Sequence, residues 1–207
     1  MKPALFIDRD GVLNQMVYDQ THGLLDSPRR PEQVVAIPGA GAFLREIRAA
    51  GYPIIVATNQ PGLAKGTLTD RELAAVNDEL ARQLALEQGR WDDLRYCPHH
   101  PGPCPGGNPA YIRACACRKP APGLLLDAAR EHDIDLAASW MIGDGLVDIA
   151  AGRRAGCRTI LVTALKWSMA ERFLDLAEGG PDAVARDLGE ALHLIRDGQT
   201  PRRMREA

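Results

Sequence analysis

Two carboxylates one residue apart, Asp8 and Asp10, end a short apolar run and precede a glycine in Ile7-Asp8-Arg9-Asp10-Gly11-Val12-Leu13-Asn14. A strand turns alternate side chains to one face, so extended geometry carried through Asp10 predicts two like charges on the same side. Such a pair is costly unless a cation neutralises it or one acid stays protonated. A hard ion such as Mg²⁺ resolves it, using one or two carboxylates and keeping positions for water and phosphate. A solvated Asp-rich turn without chemistry explains the tetrapeptide alone equally well. The rest of the chain decides between the two.

Three further groups can join that site. Thr58-Asn59-Gln60 follows the apolar run Pro53 to Ala57 and offers a hydroxyl and two amides, able to donate to phosphoryl oxygens or to satisfy their own turn. Just beyond, Gly62 and Gly66 flank Lys65 in a loop that can bring a cation to the same place. Asp144 and Asp148 follow the apolar run Ser139 to Gly143, repeating the opening pattern of a strand that delivers carboxylates to a sheet edge. Asp148 then stands beside the metal or behind its ligands, although an Asp after Gly also caps a helix.

A second kind of chemistry lies between about 96 and 118. Cys97 and His99 form one close pair, and Cys115 and Cys117 another, in a Pro- and Gly-rich segment that can hold no packed core. Two pairs of such ligands suit a closed tetrahedral Zn²⁺ site, which stabilises a loop unable to stabilise itself. His100 and Cys104 are alternative ligands in the same stretch. Arg118 and Lys119 follow the last proposed ligand, so the metal would pin two cations where they can hold a phosphate.

These residues need a scaffold, and the patterning supplies one. Ala4 to Ile7, Pro53 to Ala57, Ser139 to Gly143 and Arg158 to Val162 read as buried strands. Between them fall helices. One opens at Pro38-Gly39 and closes at Gly51, and one starts from the capping box Thr69 to Glu72 and carries Leu73, Val76, Leu80, Leu84 and Leu86. Two more run from Pro122 to His132 and from Leu146 to Ala155. Strand and helix in alternation predict an α/β fold with a doubly wound, mostly parallel sheet. In such a sheet the strand before Asp144 can lie beside the first strand across the switch point. Gln15 to Arg30, with Tyr18, His22 and Asp26, reads as a loop that can cover the site, and Trp167, Phe173 and Leu174 as a partly buried segment.

With 207 residues, 45% of them hydrophobic, the chain can bury one substantial core, predicting a single domain over 1–197 and a disordered basic tail over 198–207. The 25 basic and 27 acidic residues leave a net charge of −2, which favours neither nucleic acid nor an acidic membrane surface. No apolar run approaches the roughly 20 residues that span a bilayer, and Met1-Lys2-Pro3 leads into a strand without the pattern of a secretory signal. The expectation is a cytoplasmic monomer acting on a small phosphorylated molecule. There is no G-x-x-x-x-G-K-[ST] phosphate loop.

Taken in order, Asp8-Arg9-Asp10-Gly11, Thr58-Asn59-Gln60, Lys119 and Gly143-Asp144 with Asp148 resemble the four-part pattern of the haloacid dehalogenase (HAD) superfamily of phosphatases. The Cys-x-His and Cys-x-Cys loop followed by Arg118-Lys119-Pro120 narrows the resemblance to the D-glycero-D-manno-heptose 1,7-bisphosphate 7-phosphatase family, relatives of the histidinol-phosphatase domain. That resemblance implies a HAD-like sheet without a large cap, and a Mg²⁺-dependent phosphomonoesterase acting on a phosphorylated sugar. It makes Asp8 the nucleophile, Asp10 the acid and base, and Thr58 and Lys119 the holders of the phosphoryl group. Asn59, Gln60 and Arg118 would contact substrate, and Mg²⁺ would be held by Asp8, the backbone carbonyl of Asp10 and Asp144. Gly145 and Pro61 depart from it, standing where those enzymes commonly carry Lys and Ser. Histidinol phosphate is the alternative substrate, and a phospho-accepting module without turnover the alternative class.

Overall fold

Leu5–Ile7 (β1) is buried on both faces, as a central parallel strand must be. Its neighbours are Ile54–Asn59 (β4) on one side and Trp140–Gly143 (β6) on the other, both parallel to it. A computed structural model describes residues 1–20, 23–164 and 179–198 of the chain. Its main sheet is completed by Asp93–Cys97 (β5), Arg158–Val162 (β7) and Ala183–Ala185 (β8), in the order β5-β4-β1-β6-β7-β8 with every pair parallel.

Parallel neighbours require crossovers, and Ala40–Ala49 (α1), Gly62–Lys65 (α2), Asp70–Ala85 (α3), Gly123–His132 (α4) and Leu146–Ala155 (α5) lie in them, while Leu188–Arg196 (α6) follows β8. The β1 side chains divide between two cores. Leu5 and Ile7 join Phe43, Leu44 and Ile47 of α1, Val76 and Leu80 of α3, and Ile195 of α6. Ala4 and Phe6 face the other way, onto Leu125 and Ala128 of α4 and Ala155 of α5. The sheet is therefore doubly wound, as the alternation of apolar runs predicted. Leu86, expected among the core residues, lies beyond the end of α3 and is 76% exposed. The helix stops one residue before it.

Register explains how the site assembles. Ile7 pairs with Val56 on one side and Ile142 on the other, so Asp8, Thr58 and Asp144 all emerge at the carboxyl edge. One strand over, Asn59 pairs with Cys97, which sets the first thiol of the cysteine loop against the same edge.

The stretch from Gln15 to Arg30, expected as loop, contains a short antiparallel hairpin, Val17–Asp19 (β2) with Leu24–Asp26 (β3). It leaves Tyr18, Leu24 and Leu25 exposed. Among the described residues this hairpin is the largest element inserted between β1 and α1, so no large cap follows the first strand. Of the tail expected from 198 onward only Gly198 is described; the rest of it, together with Trp167, Phe173 and Leu174, lies outside the described residues. No described helix is long and apolar enough to cross a membrane.

Candidate active site

The carboxyl edge gathers three carboxylates around one ammonium. Lys119 Nζ lies 2.9 Å from Asp8 Oδ1 and 2.5 Å from Asp148 Oδ1, and donates to the Ala57 carbonyl at 2.6 Å. Asp8, Asp144 and Asp148 each bring a carboxylate oxygen within 4.8 Å of the others. The backbone is shaped to permit this. Gly11 sits at φ +82°, and a Cβ there would fall 2.0 Å from Asp144 Oδ2.

Three acids share one base, and their proton affinities record the imbalance. Burial pushes Asp8 up to about 6, with the charges of Asp148 and Asp10 adding to the rise and Lys119 opposing it. Asp144 is also pushed up to about 6, first by burial and then by Asp8. Burial likewise raises Asp148 despite its pairing with Lys119. Burial works against the charge of Lys119 too, but Asp8 and Asp148 outweigh it and hold the lysine above its usual range. A site short of positive charge, lined by hard oxygen donors, fits a divalent cation such as Mg²⁺.

Asp10 belongs to a different network. The chain leaves strand geometry after Ile7, so Asp8 and Asp10 do not present a matched pair to one ion as continuous extension predicted. The Asp10 carboxylate accepts instead from the buried Arg9 guanidinium at 3.0 to 3.1 Å, from Asn14 Nδ2 at 3.0 Å, Ser27 Oγ at 2.9 Å and Gln60 Nε2 at 2.7 Å. Burial favours the neutral acid here, yet Arg9 and the three neutral donors together hold Asp10 below the usual carboxylate range. Arg9 is in turn fixed by Asn77 Oδ1 at 2.7 Å. Sequence reading missed Asn14, four residues from Asp10, and also Ser27 and Asn77, which no spacing rule links to Asp8-Arg9-Asp10.

The tripeptide at the end of β4 divides its labour. Thr58 is 1% exposed, and its Oγ1 accepts from Gln60 Nε2 at 3.0 Å. Asn59 uses both ends of its amide on the backbone of Lys119, accepting from the N–H at 3.0 Å and donating to the carbonyl at 3.1 Å. It therefore positions the lysine. Gln60 bridges Thr58 and Asp10. Arg118 donates to the His99 carbonyl at 3.2 Å, inside the loop that precedes it.

That loop brings Cys97, His99, Cys115 and Cys117 together, with the contacts among their donor atoms 3.2 to 3.6 Å. A tetrahedron with metal–sulfur distances of about 2.3 Å has edges of roughly 3.7 Å, whereas a disulfide needs about 2 Å. All the cysteines are free thiols. The donor set suits Zn²⁺. His100 and Cys104 stand apart, 3.6 Å from each other, with His100 Nδ1 also accepting from Gly102 N. Beyond them the loop packs on α2: Asn108 N donates to Ala64 O at 2.9 Å, and a Cβ at Gly107 would lie 2.2 Å from that same oxygen.

Known proteins resemble this chain in sequence and in fold. Residues 116–191 match a family described as HAD-hydrolase-like. The D-glycero-beta-D-manno-heptose-1,7-bisphosphate 7-phosphatase of Escherichia coli K12 is 34% identical over 200 residues, 96% of each chain. The enzyme of that name from Bordetella bronchiseptica is 38% identical over 158 residues, 76% of this chain and 79% of its own. The crystal structure of D,D-heptose 1,7-bisphosphate phosphatase from B. bronchiseptica, complexed with magnesium and phosphate, superposes with a TM-score of 0.75 at 33% identity, covering 96% of this chain and all of the other.

Proposed function

The chain belongs to the D-glycero-β-D-manno-heptose-1,7-bisphosphate 7-phosphatase family of HAD-like hydrolases, and we propose that it removes the 7-phosphate of that bisphosphate through an aspartyl-phosphate on Asp8. One observation carries the chemistry: a buried carboxylate, Asp8, held by Lys119 in a cluster with Asp144 and Asp148 and level with Thr58.

The first step forms a bond from Asp8 to phosphorus as the bond to the sugar oxygen breaks, splitting a difficult hydrolysis into two easier transfers. Lys119 and Thr58 hold the phosphoryl oxygens, and the fixed ammonium offsets charge that builds on them. The departing sugar oxygen takes a proton from Asp10, which then accepts one from the water that attacks the aspartyl-phosphate and restores Asp8. The Arg9 guanidinium and the neutral donors around Asp10 favour its ionised, proton-accepting form. Donation requires the protonated acid, so Asp10 takes up a proton before the first step.

Asp8, the Asp10 backbone carbonyl and Asp144 are the residues to hold Mg²⁺, which when bound screens the repulsion between an anionic nucleophile and an anionic phosphate. Asp148 lies close enough to orient that set while anchoring Lys119. Cys97, His99, Cys115 and Cys117 would hold a structural Zn²⁺, which when bound would fix Arg118 and Lys119 at the site. Arg118 would then reach substrate by releasing the His99 carbonyl.

The test is ³¹P NMR of heptose 1,7-bisphosphate with and without Mg²⁺, run beside histidinol phosphate and other sugar phosphates. Mg²⁺-dependent loss of the 7-phosphate resonance with the 1-phosphate retained is expected. Preferential turnover of histidinol phosphate would contradict the substrate.

A further inference from the structure

Asp10 presents its two carboxylate oxygens to different surroundings. Oδ1 accepts from Arg9 Nε and Nη2 at 3.1 and 3.0 Å and from Asn14 Nδ2 at 3.0 Å, and both of those residues are buried. Oδ2 shares Arg9 Nη2 but also accepts from Gln60 Nε2 at 2.7 Å, and the same amide reaches Thr58 Oγ1. Oδ1 is therefore the anchored oxygen, and Oδ2 lies on the side of Thr58, where the phosphoryl group is held. The anchor works only while the guanidinium keeps its plane, because a fork of this kind fixes direction as well as distance.

What fixes the guanidinium belongs to another element. Nε and Nη2 are spent on Asp10, whereas Nη1 donates to Asn77 Oδ1 at 2.7 Å, a shorter bond than any Arg9 makes to Asp10. Asn77 sits in the middle of α3, on the side that also carries the core residues Leu73, Val76 and Leu80. That helix is pinned at both ends. Thr69 and Glu72 form a capping box at its start, and near its end Gln83 accepts from Ala36 N and donates to Val34 O, both at 2.8 Å. Arg9 is 0% exposed, so without the Asn77 oxygen no bulk water stands in, and the guanidinium must turn to place its free N–H groups. Turning it re-aims the carboxylate that it holds by three hydrogen bonds.

We propose that Asn77 is a positioning residue for proton transfer: through the Arg9 fork it holds Asp10 with Oδ2 toward the leaving oxygen. This rests on the acid and base role given to Asp10 above, and extends the catalytic apparatus to α3. A displacement of about 1 Å at a reacting group costs on the order of a hundredfold, and the loss of this more distant acceptor is expected to cost about tenfold.

The test is acid-quenched single turnover in Mg²⁺, measuring how fast phenyl, 4-nitrophenyl and 2,4-dinitrophenyl phosphate phosphorylate the unaltered protein, Asn77→Leu, Asn77→Asp and Asp10→Asn. A poor leaving group needs the proton and a good one does not. Asn77→Leu is expected to slow the reaction of phenyl phosphate about tenfold and that of 2,4-dinitrophenyl phosphate no more than about twofold, at saturating ester. Asn77→Asp keeps an acceptor for Nη1 and restores most of the phenyl phosphate rate. Equal slowing of the three esters, no slowing, or no recovery in Asn77→Asp overturns the assignment. Should Asn77→Leu not fold, Asn77→Ala is read in its place by the same criteria. Asp10→Asn separates two kinds of failure. If its loss of rate is the same for all three esters, the acid role of Asp10 falls and the assignment of Asn77 with it. If Asp10→Asn discriminates among the esters and Asn77→Leu does not, Asp10 keeps its role and Asn77 alone is excluded.

Discussion

The two metal-capable clusters of this molecule are held in opposite ways. Asp8, Asp144 and Asp148 project from the ends of β1 and β6 and from the first turn of α5, elements fixed by two hydrophobic cores. Three of the four thiol and imidazole ligands lie in a stretch without a helix or strand; Cys97 alone ends a strand. The carboxylate cluster is preorganised and short of a cation, so its ion can come and go without changing the fold. The cysteine cluster rests on a loop with few regular elements, so the binding energy of a Zn²⁺ held there would add to the folding energy of that loop. Lys119 joins the two, following the cysteine loop in sequence and completing the carboxylate cluster in space.

The largest contrast is expected from removing one member of each cluster. Asp8→Asn abolishes phosphate release, by at least about a thousandfold, and leaves the melting temperature in Mg²⁺-free buffer unchanged or higher, because it deletes one of three crowded acids. Cys117→Ser does the reverse. It lowers the melting temperature clearly and activity by about tenfold, the latter through loss of order at Arg118 and Lys119. Calorimetry of both variants with and without a zinc chelator checks this; chelation should lower the melting temperature of the unaltered protein and not that of Cys117→Ser. Equal destabilisation in the two would erase the distinction.

Lys119→Met sits between them. It preserves the apolar stem and removes the ammonium, so kcat should fall about a hundredfold or more, while the protein gains a greater dependence on Mg²⁺ for stability. A Mg²⁺ titration followed by thermal melting reads that dependence.

A smaller effect is expected from pH. Asp8 and Asp144 have folded-state values near 6, above the ordinary 3.8, so between about pH 4 and 6 the folded protein keeps protons that the unfolded chain has released. In Mg²⁺-free buffer their contribution is full below about pH 4 and is lost as the pH rises through 6. Asp10 runs the other way: its lowered value contributes stability above 3.8 that disappears as the pH falls through the folded-state value. Asp144→Asn should flatten the decline between pH 4 and 6, and saturating Mg²⁺ should reverse it. Thermal melts across that range decide the matter.

The smallest expected change comes from Ser27→Ala, which removes one of several donors to Asp10. About a threefold fall in kcat, with the acidic limb of the pH profile moved upward, would place the hairpin in proton transfer. An unmoved limb would leave Ser27 as a packing residue.

The sheet was legible where strands are central. β1, β4, β6 and β7 are apolar runs bounded by glycine or polar residues, and α1, α3, α4 and α5 carry caps or helical spacing. The edges were not. β5 reads Asp93-Leu94-Arg95-Tyr96-Cys97, half-exposed with Asp93 and Arg95 paired to each other, so its composition resembles a loop. β8, β2 and β3 have three residues each, too short for alternation to register. α6 follows a stretch that gave no clear frame for it. At the site, residue types at strand ends pointed to Asp8, Thr58 and Asp144 because the topology brings those ends together, whereas Lys119 was marked by its place directly after the cysteine loop. The roles of Asn59 as a clamp on Lys119 and of Ser27 and Asn77 around Asp10 depend on side-chain orientation across distant segments, which no local pattern encodes.

The most direct measurement is acid-quenched single turnover with the transferable phosphoryl group isotopically labelled, followed by peptide mapping. Label should appear transiently on the peptide that contains Asp8, decay as inorganic phosphate forms, and be absent in Asp8→Asn. Label on no peptide during full turnover, or phosphate release that persists in Asp8→Asn, would contradict the nucleophile at the centre of this site.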